Sequence, residues 1–280
     1  MSATADNLAN RLRSLGVSLR PPASATAIAN AERTIGLSLP AEVRALYEAS
    51  DGSDWVQSPA IDFRPMRLDE ILELTRWLDG LRSSVIYRRF GALFCWTDDN
   101  SNHAGLYTRG PLAGLVVLLD HEGESFAPAY WRLTRFTETL VARAGAIGTW
   151  PDWPTDFPVF VRECDAEECG VAGSLADTML SLAQGEPDKA VRNDLLQCAI
   201  SLLPRKRAND MIAMLDVPDM WVPASAADLL GKAKVAEAVP QLERLAAKRY
   251  PNGESASLRA LERIGTPAAR DALLRLAPRP

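Results

Sequence analysis

Three prolines fall within nine residues, at Pro151, Pro154 and Pro158, and this segment most constrains what the chain can form. Proline lacks the amide proton that a helix interior or a central strand needs, so neither element runs through the segment. Before it, helical periodicity alternates with short strand-like runs, and after it almost every window has helical periodicity. We therefore predict two domains, residues 1–145 and residues 173–280, joined by a linker over residues 146–172.

Composition and charge limit the classes of protein to consider. The 280 residues are 47% hydrophobic and 24% charged, which is enough apolar material for a buried core. The longest apolar run outside the helices is far shorter than a membrane span, and the first residues lack the basic and apolar segments of a secretory signal. The net charge of −5 lies entirely within residues 1–165, which argues against nucleic-acid binding there. Four cysteines are too few for a disulfide framework, so we expect a cytoplasmic protein with no membrane partner.

The pattern of residues 1–145 predicts an α+β domain. Two amphipathic helices flank a corner marked by Gly36, a typical helix terminator, and Pro40, which suits the first position of the next helix. Strands are predicted at residues 93–96, 105–107, 115–119 and 126–131, and a closing helix at residues 133–144. Helices, then a strand meander, then a helix indicate an antiparallel-rich sheet with helices packed on it.

Residues 173–280 are predicted to be all α. The predicted helices are 174–184, 188–203, 205–215, 223–231, 235–248, 255–264 and 267–276. The last four form two similar hairpins in which Gly231 and Gly265 occupy equivalent positions. Repeated helix pairs are typical of solenoid proteins.

The order of the pieces over residues 24–145 resembles the SUKH superfamily. The resemblance begins at the Gly36–Leu39–Pro40 corner, passes through Asp51–Gly52, and continues through 93–96, 102–107, 110–121 and 131–140. That superfamily includes fungal cell-wall-assembly regulators and many bacterial immunity proteins, and it has no fixed catalytic set. The resemblance therefore implies a compact sheet with helices and a protein that binds and neutralises a cognate toxin of a polymorphic toxin system. The helix pairs of residues 222–276 resemble HEAT-like repeats.

No arrangement of residues predicts catalysis, a cofactor or a metal. The two histidines, His103 and His121, lie beside predicted turns, and no Gly-x-Ser-x-Gly motif accompanies them. The turn from Asp98 to Asn102 alternates oxygen ligands but lacks the glycine and glutamate of a calcium loop. We expect a protein that is not an enzyme.

Cys164 and Cys169 lie within the predicted linker. A zinc site would need two further ligands, and none lies nearby in the sequence. We expect two reduced thiols, and a disulfide or a metal remains the alternative.

The expected partner is a protein, most simply a basic toxin domain. Asp98 and Asp99 lie in one predicted turn, and Glu122 and Glu124 lie in another. Turns separated by two strands of a meander emerge at the same end of the sheet, so these four carboxylates would form an acidic rim that steers a basic partner. In the alternative interpretation, the chain is a regulatory scaffold whose HEAT-like repeats hold a cellular protein. The sequence leaves the oligomeric state open.

Overall fold

The computed structural model describes residues 3–54, 63–80, 85–119, 127–144, 154–249 and 251–277. Contacts within the chain divide it into two compact units, Met1–Asp156 and Phe157–Pro280. The boundary between the two units falls inside the segment predicted as a linker, residues 146–172. The limits predicted for the two domains, residues 1–145 and 173–280, stay a prediction.

The first unit combines helices with an antiparallel sheet. The described helices are α1 (Ala3–Ser14), α2 (Ala25–Ile35), α3 (Ala41–Ala49), α4 (Leu68–Gly80), α5 (Val85–Phe90) and α6 (Leu133–Ala142). The strands are β1 (Arg64–Pro65), β2 (Ala92–Thr97), β3 (His103–Tyr107), β4 (Val116–Leu119) and β5 (Pro128–Tyr130). They pair in chain order, each antiparallel to the next. The mixture of helices and antiparallel sheet that the sequence predicts is therefore confirmed.

The corner between α2 and α3 forms where the sequence predicts it. Gly36 ends α2 in the left-handed conformation, with a φ of 73°. The carboxylate of Glu32 then accepts a hydrogen bond of 2.8 Å from the Leu39 amide and forms an ion pair with Arg44. Pro40, predicted as the first residue of the helix, is instead the N-cap residue of α3, which begins one position later at Ala41. The corner is thus fixed by one side chain, Glu32, as well as by backbone conformation.

An irregularity in β2 shapes the sheet beneath the helices. The pairing of β2 with β3 shifts register between Phe94 and Trp96. A Cβ on Gly105, in β3, would lie 2.2 Å from the Leu93 carbonyl oxygen, so only glycine fits opposite this bulge. Each edge strand carries a proline, Pro65 in β1 and Pro128 in β5, which limits further pairing at the sheet edges.

The described elements of the second unit are helical. They include α7 (Ala166–Gln184), α8 (Lys189–Leu202), α9 (Ala208–Ala213), α10 (Val222–Lys232), α11 (Val239–Ala247), α12 (Pro251–Ile264) and α13 (Pro267–Leu276). α7 packs against α8, and α10 packs against α12. A Cβ on Gly231 would lie 2.6 Å from Ala260 Cα, so this glycine permits the close approach of α10 and α12.

Several helix boundaries in this unit differ from the sequence prediction, and two of the differences have a clear physical reason. Gly231 lies inside α10, and the left-handed residue after that helix is Lys234, whereas Gly265 itself ends α12 in the left-handed conformation. The two glycines are therefore not equivalent. α7 begins at Ala166 instead of residue 174, because the Asp165 carboxylate caps it by accepting from the Glu168 amide.

Truncating Leu39 should destabilise the first unit. Leu39 is buried at the α2–α3 corner, so Leu39→Ala removes core contacts and leaves a cavity. We expect the free energy of unfolding, measured by urea denaturation, to fall by roughly 2–5 kcal/mol. The half-buried neighbour Leu37 gives a matched control, because Leu37→Ala should cost less. Equal costs for the two variants would contradict the burial of Leu39.

Candidate functional site

A half-open pocket of about 340 Å³ lies in the first unit, above β2. Three helices and one strand line it, and the lining residues are Asn7, Leu8 and Arg11 of α1, Ala41, Glu42, Ala45 and Leu46 of α3, Trp96 of β2, and Leu133, Thr134, Thr137 and Glu138 of α6. Helix α1 packs against both α3 and α6. The volume falls within the range of roughly 300–1,000 Å³ that is usual for small-molecule sites.

Helical periodicity explains which residues reach the pocket. Each helix contributes positions three and four residues apart, which share one face of an α-helix, together with their immediate neighbours. The deepest part is apolar, since Leu46, Trp96 and Leu133 are all buried. The same three side chains therefore belong to the core of the unit and to the floor of the pocket.

Charged groups surround the apolar floor without pairing with one another. Glu42 is half-buried, and one of its carboxylate oxygens accepts a hydrogen bond of 3.2 Å from the Leu133 amide at the start of α6. Arg11 and Glu138 are exposed at the opening. Within the described ranges, none of these three side chains forms an ion pair. The pocket therefore presents a guanidinium and two carboxylates that are available to a ligand.

The floor also contains an unpartnered donor. Trp96 is fully buried, and its indole Nε1–H finds no acceptor among the residues that the structure describes. The neighbouring Cys95 thiol has its pKa raised, mainly by burial and also by the negative charge of Glu42.

A second candidate surface lies in the other unit, in the turn before α10. Met220 and Trp221 are 43% and 59% exposed, although both are large and apolar. The turn is held by Asp219, whose carboxylate accepts from the Trp221 and Val222 amides at 2.8 and 2.9 Å and from the Asn193 side chain at 2.6 Å. The exposed pair is thus carried by an ordered turn.

The acidic rim predicted from the sequence is only partly described. Asp98 is buried, and its carboxylate accepts from the Asn100 and Asn102 amides and from the Asn102 side chain, at 2.6–3.0 Å. Its role is therefore to hold the β2–β3 turn, and it does not offer a free carboxylate to a partner. Asp99 is exposed. Glu122 and Glu124 lie outside the described residues, so the contribution of Asp99, Glu122 and Glu124 to binding stays a prediction.

His103 lies at the start of β3, opposite Leu119, and packs beside the ring of Phe94 at 6.2 Å. Its Nδ1 is buried and has no hydrogen-bond partner in the described part of the chain. The pKa of the imidazole is lowered to about 4, mainly by burial and also by the positive charge of Arg64, while the negative charge of Glu70 opposes the shift. His103 is thus a neutral residue of the sheet, and His121 lies outside the described residues.

Cys164 and Cys169 form a disulfide, which corrects the expectation of two reduced thiols. The physical reason is the early start of α7: Asp165 caps the helix, and the first turn brings the two cysteines together. An ion pair of 2.9 Å between Arg162 and Glu168 spans the same turn.

No described group of three or more His, Cys, Asp or Glu side chains is arranged to hold a metal ion. Among the described helices, none combines the length and apolarity that are needed to cross a membrane. No protein-family model matches the chain, and comparison with curated proteins finds no match.

Sequence reasoning missed the pocket because its residues lie far apart in the chain. Glu42 and Leu133, which are hydrogen-bonded, are 91 positions apart. The only sequence signal is the face that each helix shares, and this signal is equally typical of ordinary core packing.

Removing the disulfide should lower stability only under oxidising conditions. A bond between residues five positions apart closes a short loop and restricts the unfolded chain by about 2 kcal/mol. We expect Cys164→Ser to reduce the free energy of unfolding of the second unit by about that amount without reductant. With dithiothreitol, wild type and variant should match. A wild-type protein that is unaffected by dithiothreitol would contradict the contribution of the bond.

The low pKa of His103 predicts a pH dependence of stability. Below pH 6.5 the unfolded chain binds a proton at His103 that the folded chain binds only near pH 4, so stability falls as the pH decreases through this window. Between pH 7.5 and pH 5.0 this costs about 2 kcal/mol. Urea denaturation of His103→Gln should therefore show a smaller loss than wild type over that range. Identical losses would show that His103 does not titrate in the folded protein as its burial implies.

Proposed function

We propose that this chain is a protein-binding immunity protein that neutralises a cognate bacterial toxin without catalysing a reaction. The proposal combines an α+β SUKH-like domain with an all-α, HEAT-like domain in a cytoplasmic protein. The resemblance over residues 24–145 supports the immunity role, and the described surface supports protein binding.

The observation that carries protein binding is the exposed Met220–Trp221 pair. Tryptophan is strongly enriched among the residues that dominate binding energy at interfaces, and methionine is enriched there as well. A single exposed apolar residue is common on any protein, but two adjacent large ones on a turn held by Asp219 and Asn193 lose little conformational entropy on binding. We therefore propose this turn as a contact surface for the partner.

The Met220–Trp221 turn thus replaces the acidic rim as the proposed site of direct contact with the partner. The Asp98 carboxylate is already used within its own turn. The remaining acidic residues would still attract a basic partner over distance, and salt would weaken that attraction.

A second candidate function is the regulatory scaffold. It is favoured by the packing of α10 against α12 and by side chains that link the hairpins, since Arg263 pairs with Asp228 and Arg275 pairs in bidentate fashion with Glu243. Stacked helix pairs of this kind create extended binding surfaces. In this case the Met220–Trp221 pair would contact a cellular protein.

Co-expression with the protein encoded by the neighbouring gene tests the immunity role. If that protein is the toxin, the wild-type chain should restore growth of bacteria that express it, and the two should co-purify. Trp221→Ala should weaken binding by about 30-fold or more, which corresponds to the loss of a dominant interface residue. Calorimetry on the purified pair gives the affinity.

Trp77→Ala is the matched control, because Trp77 is 58% exposed on α4 of the first unit. Its affinity should stay within a few-fold of wild type. Growth that is not restored by the wild-type chain would contradict the immunity role, and copurification with a cellular complex would then support the scaffold. Restored growth with an unchanged affinity for Trp221→Ala would contradict only the proposed surface.

A further inference from the structure

The pocket above β2 combines an apolar floor with charges of both signs at its edge. We propose that it is a binding site for a small apolar zwitterion of amino-acid or dipeptide size. In this arrangement the apolar body of the ligand contacts Leu46, Trp96 and Leu133, its ammonium group pairs with Glu42, and its carboxylate pairs with Arg11. This site belongs to the first unit, whereas the protein-binding surface proposed above belongs to the second.

The size and lining of the pocket favour a small molecule. A volume of about 340 Å³ is at the lower end of the range for ligand sites, which suits a compact ligand. Its floor is buried and apolar, so moving an apolar side chain of the ligand from water into the pocket would be favourable.

The charges define which ligand fits. A purely apolar ligand would cover the half-buried Glu42 carboxylate and remove its water without providing a partner, which is unfavourable. An anionic ligand could pair with Arg11 but would be repelled by Glu42 and Glu138, whereas a cationic ligand could pair with a carboxylate but would place its charge beside the Arg11 guanidinium. A zwitterion gives partners to Arg11 and Glu42, while the exposed Glu138 keeps its contact with water.

Within the first unit, Arg11 and Glu42 form no ion pair with any described residue, so both charges are available to a ligand. Elsewhere in that unit, Arg64 pairs with Glu70 at 2.7 Å and Arg67 pairs with Asp69 at 2.9 Å. Glu42 has one oxygen engaged with the Leu133 amide, which fixes the carboxylate in place and leaves its other oxygen available. A fixed carboxylate loses less entropy when it binds an ammonium group than a mobile one does.

Titration calorimetry with the dipeptide L-leucyl-L-phenylalanine tests the proposal directly on the full chain. We expect saturable binding with one site. The N-acetylated dipeptide lacks the ammonium group and the dipeptide amide lacks the carboxylate, and each should bind at least 10-fold more weakly. Absence of saturable binding, or equal binding of the three compounds, would overturn the proposal.

Substitutions in the pocket test which side chain binds the ammonium group of the dipeptide and which binds its carboxylate. Glu42→Gln should weaken dipeptide binding at least 10-fold but should not weaken binding of the anionic N-acetylated compound, which the Glu42 carboxylate repels. Arg11→Gln should likewise weaken dipeptide binding at least 10-fold without weakening binding of the cationic amide. Glutamine can still accept from the Leu133 amide, so the start of α6 is retained. Arg11 is exposed, so its replacement keeps the test valid even if the Glu42 variant fails to fold.

The same helices provide matched controls. Glu48 on α3 and Arg13 on α1 are exposed and do not line the pocket, so Glu48→Gln and Arg13→Gln should bind the dipeptide like wild type. Weakening by the controls that equals that of the pocket variants would attribute the effect to overall charge and overturn the assignment. Trp221→Ala should leave dipeptide binding unchanged, which separates this result from the test of protein binding.

Discussion

The ring of Phe136 is the contact on which the first unit depends. It is fully buried in α6 and meets three other aromatic rings edge to face, those of Phe63, Trp96 and Tyr130, with centroids 5.6–5.8 Å away. Trp96 belongs to β2 and Tyr130 to β5, while Phe63 precedes β1. One side chain thus joins α6 to β2, to the edge strand β5 and to the residue that precedes the other edge strand, β1. Such aromatic pairs contribute about 0.5–1.5 kcal/mol each beyond the area that they bury.

The pocket follows from this placement of α6. Because Phe136 holds the helix to the sheet, Leu133 at its start lies within reach of Glu42 on α3, and the carboxylate takes the place of a side-chain cap. Helix α1 then covers the gap only in part. The floor of the pocket consists of side chains that also belong to the core. A larger side chain at the rim, as in Ala45→Leu, would therefore fill the pocket without removing any of the contacts of Phe136.

The sequence predicts local structure well and distant contacts poorly. The α2–α3 corner could be predicted because Gly36 and Pro40 act on their own neighbourhoods, and the strands could be predicted from short apolar runs. The burial of Asp98 could not, since an exposed and a buried turn have the same composition. The start of α7 was missed because the linker predicted from the prolines extends to residue 172, although Asp165 followed by Glu168 is a capping signal. The pocket depends on packing between segments about 90 residues apart, for which one sequence carries no signal.

A carboxylate can attract a partner over distance or contact it directly, and the structure distinguishes the acidic residues that are able to do each. Asp98 and Asp156 have their carboxylates engaged within the first unit, Asp156 by the Trp131 amide and by Arg135. A carboxylate engaged in this way still contributes to the long-range field, which speeds the encounter with a basic partner. It cannot also form a direct contact without breaking its own bonds. If the proposed function holds, the acidic balance of residues 1–165 therefore acts on the rate of association with the partner, whereas the lifetime of that complex depends on exposed groups such as Trp221.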